Sequence, residues 1–193
     1  GVLSLIGLGM IGPTILAHGQ EAIKDRYLPA MYKGDVIACQ LFSEPAAGSD
    51  LASLETKAVR DGDEWVITGQ KVWTSVAQHA EVGLALCRSD FDQPKHKGIT
   101  AFLVDMSAPG VDVRPLRQMS GGAEFNEVFL DGVRVRDDHR LGEVNGGWRV
   151  ALTTLMNERA SVGNEGAGAA GRAVSLPFLT ALLDEHERLD DPA

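Results

Sequence analysis

The sequence predicts an α+β chain, with an antiparallel β-sandwich or barrel in the middle and helical segments on either side. Three observations carry this expectation. Between residues 35 and 144, short apolar segments rich in strand formers alternate with turn residues, and no helical period intervenes. Residues 1–34 place apolar side chains at helical spacing, and the helical period returns after Asn145-Gly146-Gly147. The expected organisation is therefore 1–34 as the end of a helical domain, 35–144 as a β domain, and 145–193 as the start of a second helical part.

In the first part, Ile15, Leu16, Ala22 and Ile23 mark helical faces. Gln20-Glu21 suits a first turn, Tyr27-Leu28-Pro29 an end and Gly34 a stop. Gly7-Leu8-Gly9-Met10-Ile11-Gly12 matches the dinucleotide fingerprint G-x-G-x-x-G. Pro13 follows at once, however, and Asp35, the acid nearest the required distance, opens a strand instead of closing one, so these glycines are read as close packing or a break between helices.

Strands are expected at 35–42, 54–60, 65–68, 71–75, 82–87, 99–105, 111–116 and 125–130. Turns are expected at Asp61-Gly62, Gly69-Gln70, Ser107-Ala108-Pro109-Gly110 and Asp131-Gly132, and a polar loop at Ser89 to Gly98. The first strand stops at Ser43-Glu44-Pro45, because proline removes a backbone donor and forces the preceding residue into an extended conformation. Ala46-Ala47-Gly48-Ser49-Asp50 then has small side chains whose backbone N–H groups can approach an anion, with the Ser49 hydroxyl as a further donor. Trp73 supplies a broad apolar face, and Thr74 and Ser75 place donors and acceptors beside it. Two such segments can hold a flat heterocycle and a phosphate together. Taken singly, each string has a plainer reading as a turn, a core tryptophan or a solvated strand end.

Past residue 145, Trp148, Leu152, Leu155 and Arg159 share one helical stripe, and Ala151, Leu155, Glu158 and Val162 an adjacent one. Glu158 thus falls on a partly apolar face. Residues 169–188 read as further helix with a kink or restart at Pro177, although Gly163, Gly166, Gly168 and Gly171 weaken it.

Composition narrows the function. The chain has 193 residues, 44% of them apolar, and a formal charge of −9. That charge, without a basic patch, argues against a nucleic-acid partner. Cys39 and Cys87 lie in expected strands without metal spacing and are read as buried reduced thiols, which points to the cytoplasm or another reducing compartment and not to secretion. No apolar run suits a membrane helix. His18, His79, His96, His139 and His186 lack zinc spacing, so no metal is expected. Ser49 lacks the G-x-S-x-G elbow of hydrolases.

Four motifs in register give a more specific reading: Ser43-Glu44-Pro45-Ala46-Ala47-Gly48-Ser49-Asp50 with Gly69-Gln70-Lys71-Val72-Trp73-Thr74-Ser75, Asn126 to Val135, Leu141 to Trp148, and Met156-Asn157-Glu158-Arg159. In these the chain resembles the acyl-CoA dehydrogenase family over nearly its whole length. The resemblance implies FAD as cofactor, lined by Gln40, Leu41, Phe42, Ser43, Gly48, Ser49, Trp73, Thr74 and Ser75. The hydroxyls of Ser43 and Ser75 would meet the ring, and the Gly48-Ser49 bend phosphate or pantetheine oxygens.

It implies α,β-dehydrogenation of an acyl-CoA thioester to a trans-2-enoyl-CoA, with electrons passed to an electron-transfer flavoprotein, in a homo-oligomer (dimer or tetramer). An acyl-CoA oxidase or related flavin monooxygenase, and a non-catalytic truncated subunit, are the alternatives. Glu158 matches the base of the branch that includes the isovaleryl enzyme. It is alternatively a surface or CoA-contacting residue, with the base in a later segment, and Ser49 and Arg159 stand on the substrate side. Two positions depart from the family pattern: Gln40 stands where many relatives have an aromatic residue, and Met156 where many have an acid. The chain reads as a fragment, since family members continue into the rest of a helical bundle.

Overall fold

The computed structural model describes residues 5–165. Helical structure opens the described residues: a π-helix over Leu5–Ile11 runs into α1 (Gly12–His18), and α2 follows over Glu21–Lys33. Gly34 ends α2 in the left-handed region at φ +80°, its N–H reaching Ala30 and Met31 carbonyls. The helix continues through Pro29, which sequence placed at its end. Gly12 packs closely: a side chain there would lie 3.0 Å from the Gly7 carbonyl oxygen. The G-x-G-x-x-G string therefore belongs to helix packing, not to a strand-to-helix phosphate loop.

Eight strands follow: β1 (Ala38–Leu41), β2 (Lys57–Asp61), β3 (Glu64–Ser75), β4 (Val82–Arg88), β5 (Ile99–Asp105), β6 (Val111–Leu116), β7 (Phe125–Arg136) and β8 (Arg140–Leu141). They form one sheet in the order β6-β7-β3-β2-β4-β5-β8, with β1 paired beside β4. The pairing is mostly antiparallel, as expected, while β1 runs parallel to β4 and β2 meets β4 in parallel at Lys57 and Arg88. Both β1 and β2 approach the same edge of β4, one after the other.

Two expected turns are absent. Gly69-Gln70 and Asp131-Gly132 lie inside the long strands β3 and β7, which pair along their whole length with register shifts at Ile67/Gly69 and Lys71/Thr74. Gly69 is needed for close approach, since a Cβ there would lie 2.4 Å from Thr56 Oγ1 and 2.7 Å from Thr56 Cα. Glycine inside a strand pattern marks either a turn or a tight contact, and here the partner strand decides for contact.

Two cores result. One joins Ile6, Met10, Ile15, Ile23 and Tyr27 of the helices to Leu84, Leu86, Ile99 and Leu103 of the sheet. The other packs Cys39, Leu41, Ala85 and Phe102 against Trp65, Ile67, Val128 and Val133, with the Trp65 and Phe102 rings 5.2 Å apart. The sheet thus curls so that β3 and β7 face β4 and β5. Strands β4 and β5, covered on both sides, read as continuous apolar runs for that reason.

The last described element is α3 (Gly147–Glu165). Its buried stripe is Val150, Ala151 and Thr154, while Leu152 and Met156 are exposed, so the inner face is rotated from the expected one. Thr154 Oγ1 lies 3.0 Å from Thr14 Oγ1, a polar seam between α3 and α1 that a purely apolar stripe does not capture. The helix expected at 169–188 lies outside the described residues. Among those residues, no helix is long and apolar enough to cross a membrane.

Candidate functional site

A cleft of about 370 Å³ opens where the end of β1, the second half of β3, the start of β7, the π-helix and α3 converge. Gln40, Phe42, Ser43, Trp73, Ser75 and Glu158 line it, six of the residues singled out from sequence. Ile6, Met10, Val72 and Phe125 complete the walls. Sequence reasoning missed these four because apolar residues at helix or strand spacing carry only a core signal.

The shape of the β3 wall comes from a bulge. Between Lys71 and Thr74 on β3 the partner β7 advances only from Val128 to Asn126, so β3 carries one extra residue and its side-chain alternation breaks. Trp73 and Val76 sit in the left-handed region at φ +58° and +56°. Such conformations cost a non-glycine residue about 1–2 kcal/mol, and a β-branched one such as valine rarely adopts them. The result is an indole 63% exposed, set edge-on to Phe125 at 6.3 Å and 83°. Thr74 turns inward instead and is buried, its Oγ1 without a hydrogen-bond partner among the described residues.

The two motif segments are clamped to each other by Lys71 and Glu44. The Lys71 ammonium is wholly buried and reaches Glu44 Oε1 at 2.7 Å, the Leu86 carbonyl at 2.7 Å and the Phe42 carbonyl at 3.2 Å. Its three N–H donors are thereby all used. Glu44 in turn accepts the backbone N–H groups of Glu55 and Thr56 at 2.7 and 3.0 Å. Burial pushes the Glu44 carboxyl up, but the Lys71 charge and the hydrogen bonds from Lys71, Thr56 and Glu55 outweigh it and hold it below its ordinary value. The Val72 N–H donates to the Ser43 carbonyl at 2.9 Å, so the walls bearing Ser43 and Ser75 are tied by backbone as well. Both residues of the clamp lie in the motifs, but their role is visible only in three dimensions.

The remaining expected residues fall elsewhere. Leu41 is fully buried in the core between the sheet halves, because strand alternation turns it away from Gln40 and Phe42. Gly48 and Ser49 lie on an exposed bend after the Glu44-to-Ala47 turn, outside the cleft lining, and neighbouring Asp50 pairs with Lys95 at 2.7 Å. Arg159 is exposed on α3 and does not line the cleft, since it lies one residue around the helix from Glu158. Glu158 is half-buried, and Gln40 Nε2 lies 3.4 Å from its Oε2. Among the described residues no group of histidines, cysteines and carboxylates has the geometry to hold a metal.

An amphipathic aromatic ring fits this donor set. One indole face, the hydroxyls of Ser43 and Ser75 and the apolar side chains of Val72, Phe125 and Met10 supply stacking surface and hydrogen-bonding groups in one cleft.

A family model described as "Acyl-CoA dehydrogenase, middle domain" matches residues 39–133. Acyl-CoA dehydrogenase FadE34 of Mycobacterium tuberculosis is 56% identical over 166 residues, covering 86% of this chain and 22% of that protein. The structure titled "Tcur3481-Tcur3483 steroid ACAD" superposes with a TM-score of 0.86 at 37% identity, covering 98% of this chain and 48% of that one. A glutaryl-CoA dehydrogenase from Mycobacterium smegmatis in complex with FADH2 gives a TM-score of 0.71 at 29% identity, over 80% of this chain and 39% of that one. The chain spans from about a fifth to about half of the length of the curated relatives it matches.

Proposed function

We propose that this chain, which belongs to the acyl-CoA dehydrogenase family, forms the flavin-facing part of an enzyme that dehydrogenates an acyl-CoA thioester to a trans-2-enoyl-CoA and passes the electrons to an electron-transfer flavoprotein. One observation carries the reading: a single cleft joins Ser43, Trp73 and Ser75 to the carboxylate of Glu158. Bound FAD would supply the two-electron acceptor, which no side chain of this cleft provides. Trp73 would cover one face of the ring, and the Ser43 and Ser75 hydroxyls would hydrogen-bond its polar edge.

Glu158 is the one carboxylate among the described residues of the lining, which supports it as the group that would take the α proton of the thioester. Ile6, Met10 and Phe125 supply apolar side chains to the same lining. The exposed Gly48-Ser49 bend stands apart from that chemistry and is suited to phosphate or pantetheine oxygens.

The steroid title of one structural neighbour, 37% identical to this chain, favours a bulky acyl group over a short straight one. The test is optical. The purified protein is expected to be yellow, and its flavin absorbance to bleach on adding an acyl-CoA. Glu158→Gln retains the yellow colour and loses the bleaching. A colourless protein that takes up no FAD sinks the flavin reading, and unchanged bleaching in the variant moves the base elsewhere.

A further inference from the structure

Gln40 is out of keeping with its strand. By the two-residue period of β1 it shares a side with Ala38 and Phe42, both buried in the helix-facing core, while Cys39 and Leu41 face the other core. A leucine would satisfy that position, yet an amide occupies it. Its Nε2 lies 3.4 Å from Glu158 Oε2, whereas its Oε1 is buried and has no partner among the described residues. A buried amide oxygen left unpaired lowers stability, and such a group in a cleft wall calls for a ligand that completes it.

We propose that Gln40 is a positioning and recognition residue: its amide N–H steadies the Glu158 carboxylate over the cleft, and its amide oxygen accepts a hydrogen bond from an N–H or O–H of the bound ligand. Two features of the geometry support this assignment. The amide bridges β1 and α3, elements 118 residues apart, at the point where the cleft carries its carboxylate. With Nε2 set against an acceptor-only group, the amide oxygen is left to accept, and among the described residues it has no hydrogen-bond partner. The inference rests on the flavin-enzyme reading for the identity of its ligand, but its stability signature does not.

The experiment compares wild type with Gln40→Leu in the full chain, first without ligand and then titrated with FAD, a saturated acyl-CoA and the 3-hydroxyacyl-CoA of equal length. Leucine removes the unpaired oxygen and fills an apolar position, so the ligand-free variant melts at or above the wild-type temperature. Affinity then falls about fivefold, the worth of one hydrogen bond, for the probe that carries the donor. A loss for FAD identifies a ring N–H, a loss for the hydroxyacyl-CoA alone identifies an acyl hydroxyl, and an equal loss for both thioesters identifies a pantetheine amide.

In the FAD-loaded protein the loosened Glu158 lowers the bleaching rate at saturating acyl-CoA, beyond any change in the concentration needed to saturate. A ligand-free melting temperature lowered by more than about 2 °C would mean that the amide is structural and would overturn the proposal. So would unchanged affinity for all three probes together with an unchanged saturated rate. A wild-type chain that binds none of them removes the flavin reading, and the melting comparison alone then decides the role of Gln40.

Discussion

Replacing Lys71 with methionine removes the centre of the clamp between the two cleft walls. The methionine keeps the length of the side chain but leaves the Phe42 and Leu86 carbonyls unpaired and Glu44 with only the Glu55 and Thr56 N–H donors. Breaking a buried pair by deleting one partner costs about 3–5 kcal/mol. At about 2–4 °C per kcal/mol for a chain of this size, the melting temperature falls by about 6–20 °C.

The pH dependence follows from the Glu44 carboxyl, whose folded pKa lies below its unfolded value because Lys71 outweighs burial. Its contribution to stability is present above the unfolded pKa and is lost as pH falls through the folded one. Without Lys71, burial raises that carboxyl, so the variant gains relative stability as the group is protonated. The gap between wild type and Lys71→Met therefore narrows on acidification from neutral pH towards pH 4. Thermal denaturation followed by circular dichroism across that range is the assay. A loss of less than about 3 °C at neutral pH, or a gap that widens on acidification, would refute a net-stabilising buried pair.

Two further outcomes are expected. Gly69→Val drives a side chain into the backbone and hydroxyl of Thr56 at a point where neither strand can move aside, so it lowers stability by about 1–3 kcal/mol in denaturant titrations; a neutral result would show that β2 and β3 are not held at that spacing. Burial pushes the Cys39 and Cys87 thiols up to about 12, so at pH 8 neither reacts with a thiol-specific disulfide reagent until the protein is unfolded, and both react afterwards. Rapid labelling of either thiol in the native protein would contradict the packing of the second core.

Much of the fold can be read along the chain because burial on both sides writes itself into local composition. β4 and β5 are mostly apolar runs, buried along nearly their whole length, and Gly34 stops α2 where a left-handed residue is required. The long strands β3 and β7 were harder to recognise. Gly69-Gln70 and Asp131-Gly132 carry the same residues whether the chain reverses or bulges, and only the pairing of the two strands distinguishes these outcomes. The parallel approach of β1 to β4 was equally hidden, since strand direction depends on partners distant in sequence.

For the cleft, the sequence by itself determined which short strings to single out: Ser43, Trp73, Ser75 and Glu158 stand in motifs whose residue types and order suit a flat amphipathic ligand with a carboxylate beside it, and all four line one cleft. Tertiary structure alone decided which motif residues line the cleft. It turned Leu41 and Thr74 inward, left Gly48, Ser49 and Arg159 outside the walls, and set Gln40 against Glu158. The physical reason is that a motif fixes side-chain chemistry, whereas orientation comes from a bulge, a strand period and a buried ion pair whose partners meet only when distant segments fold together.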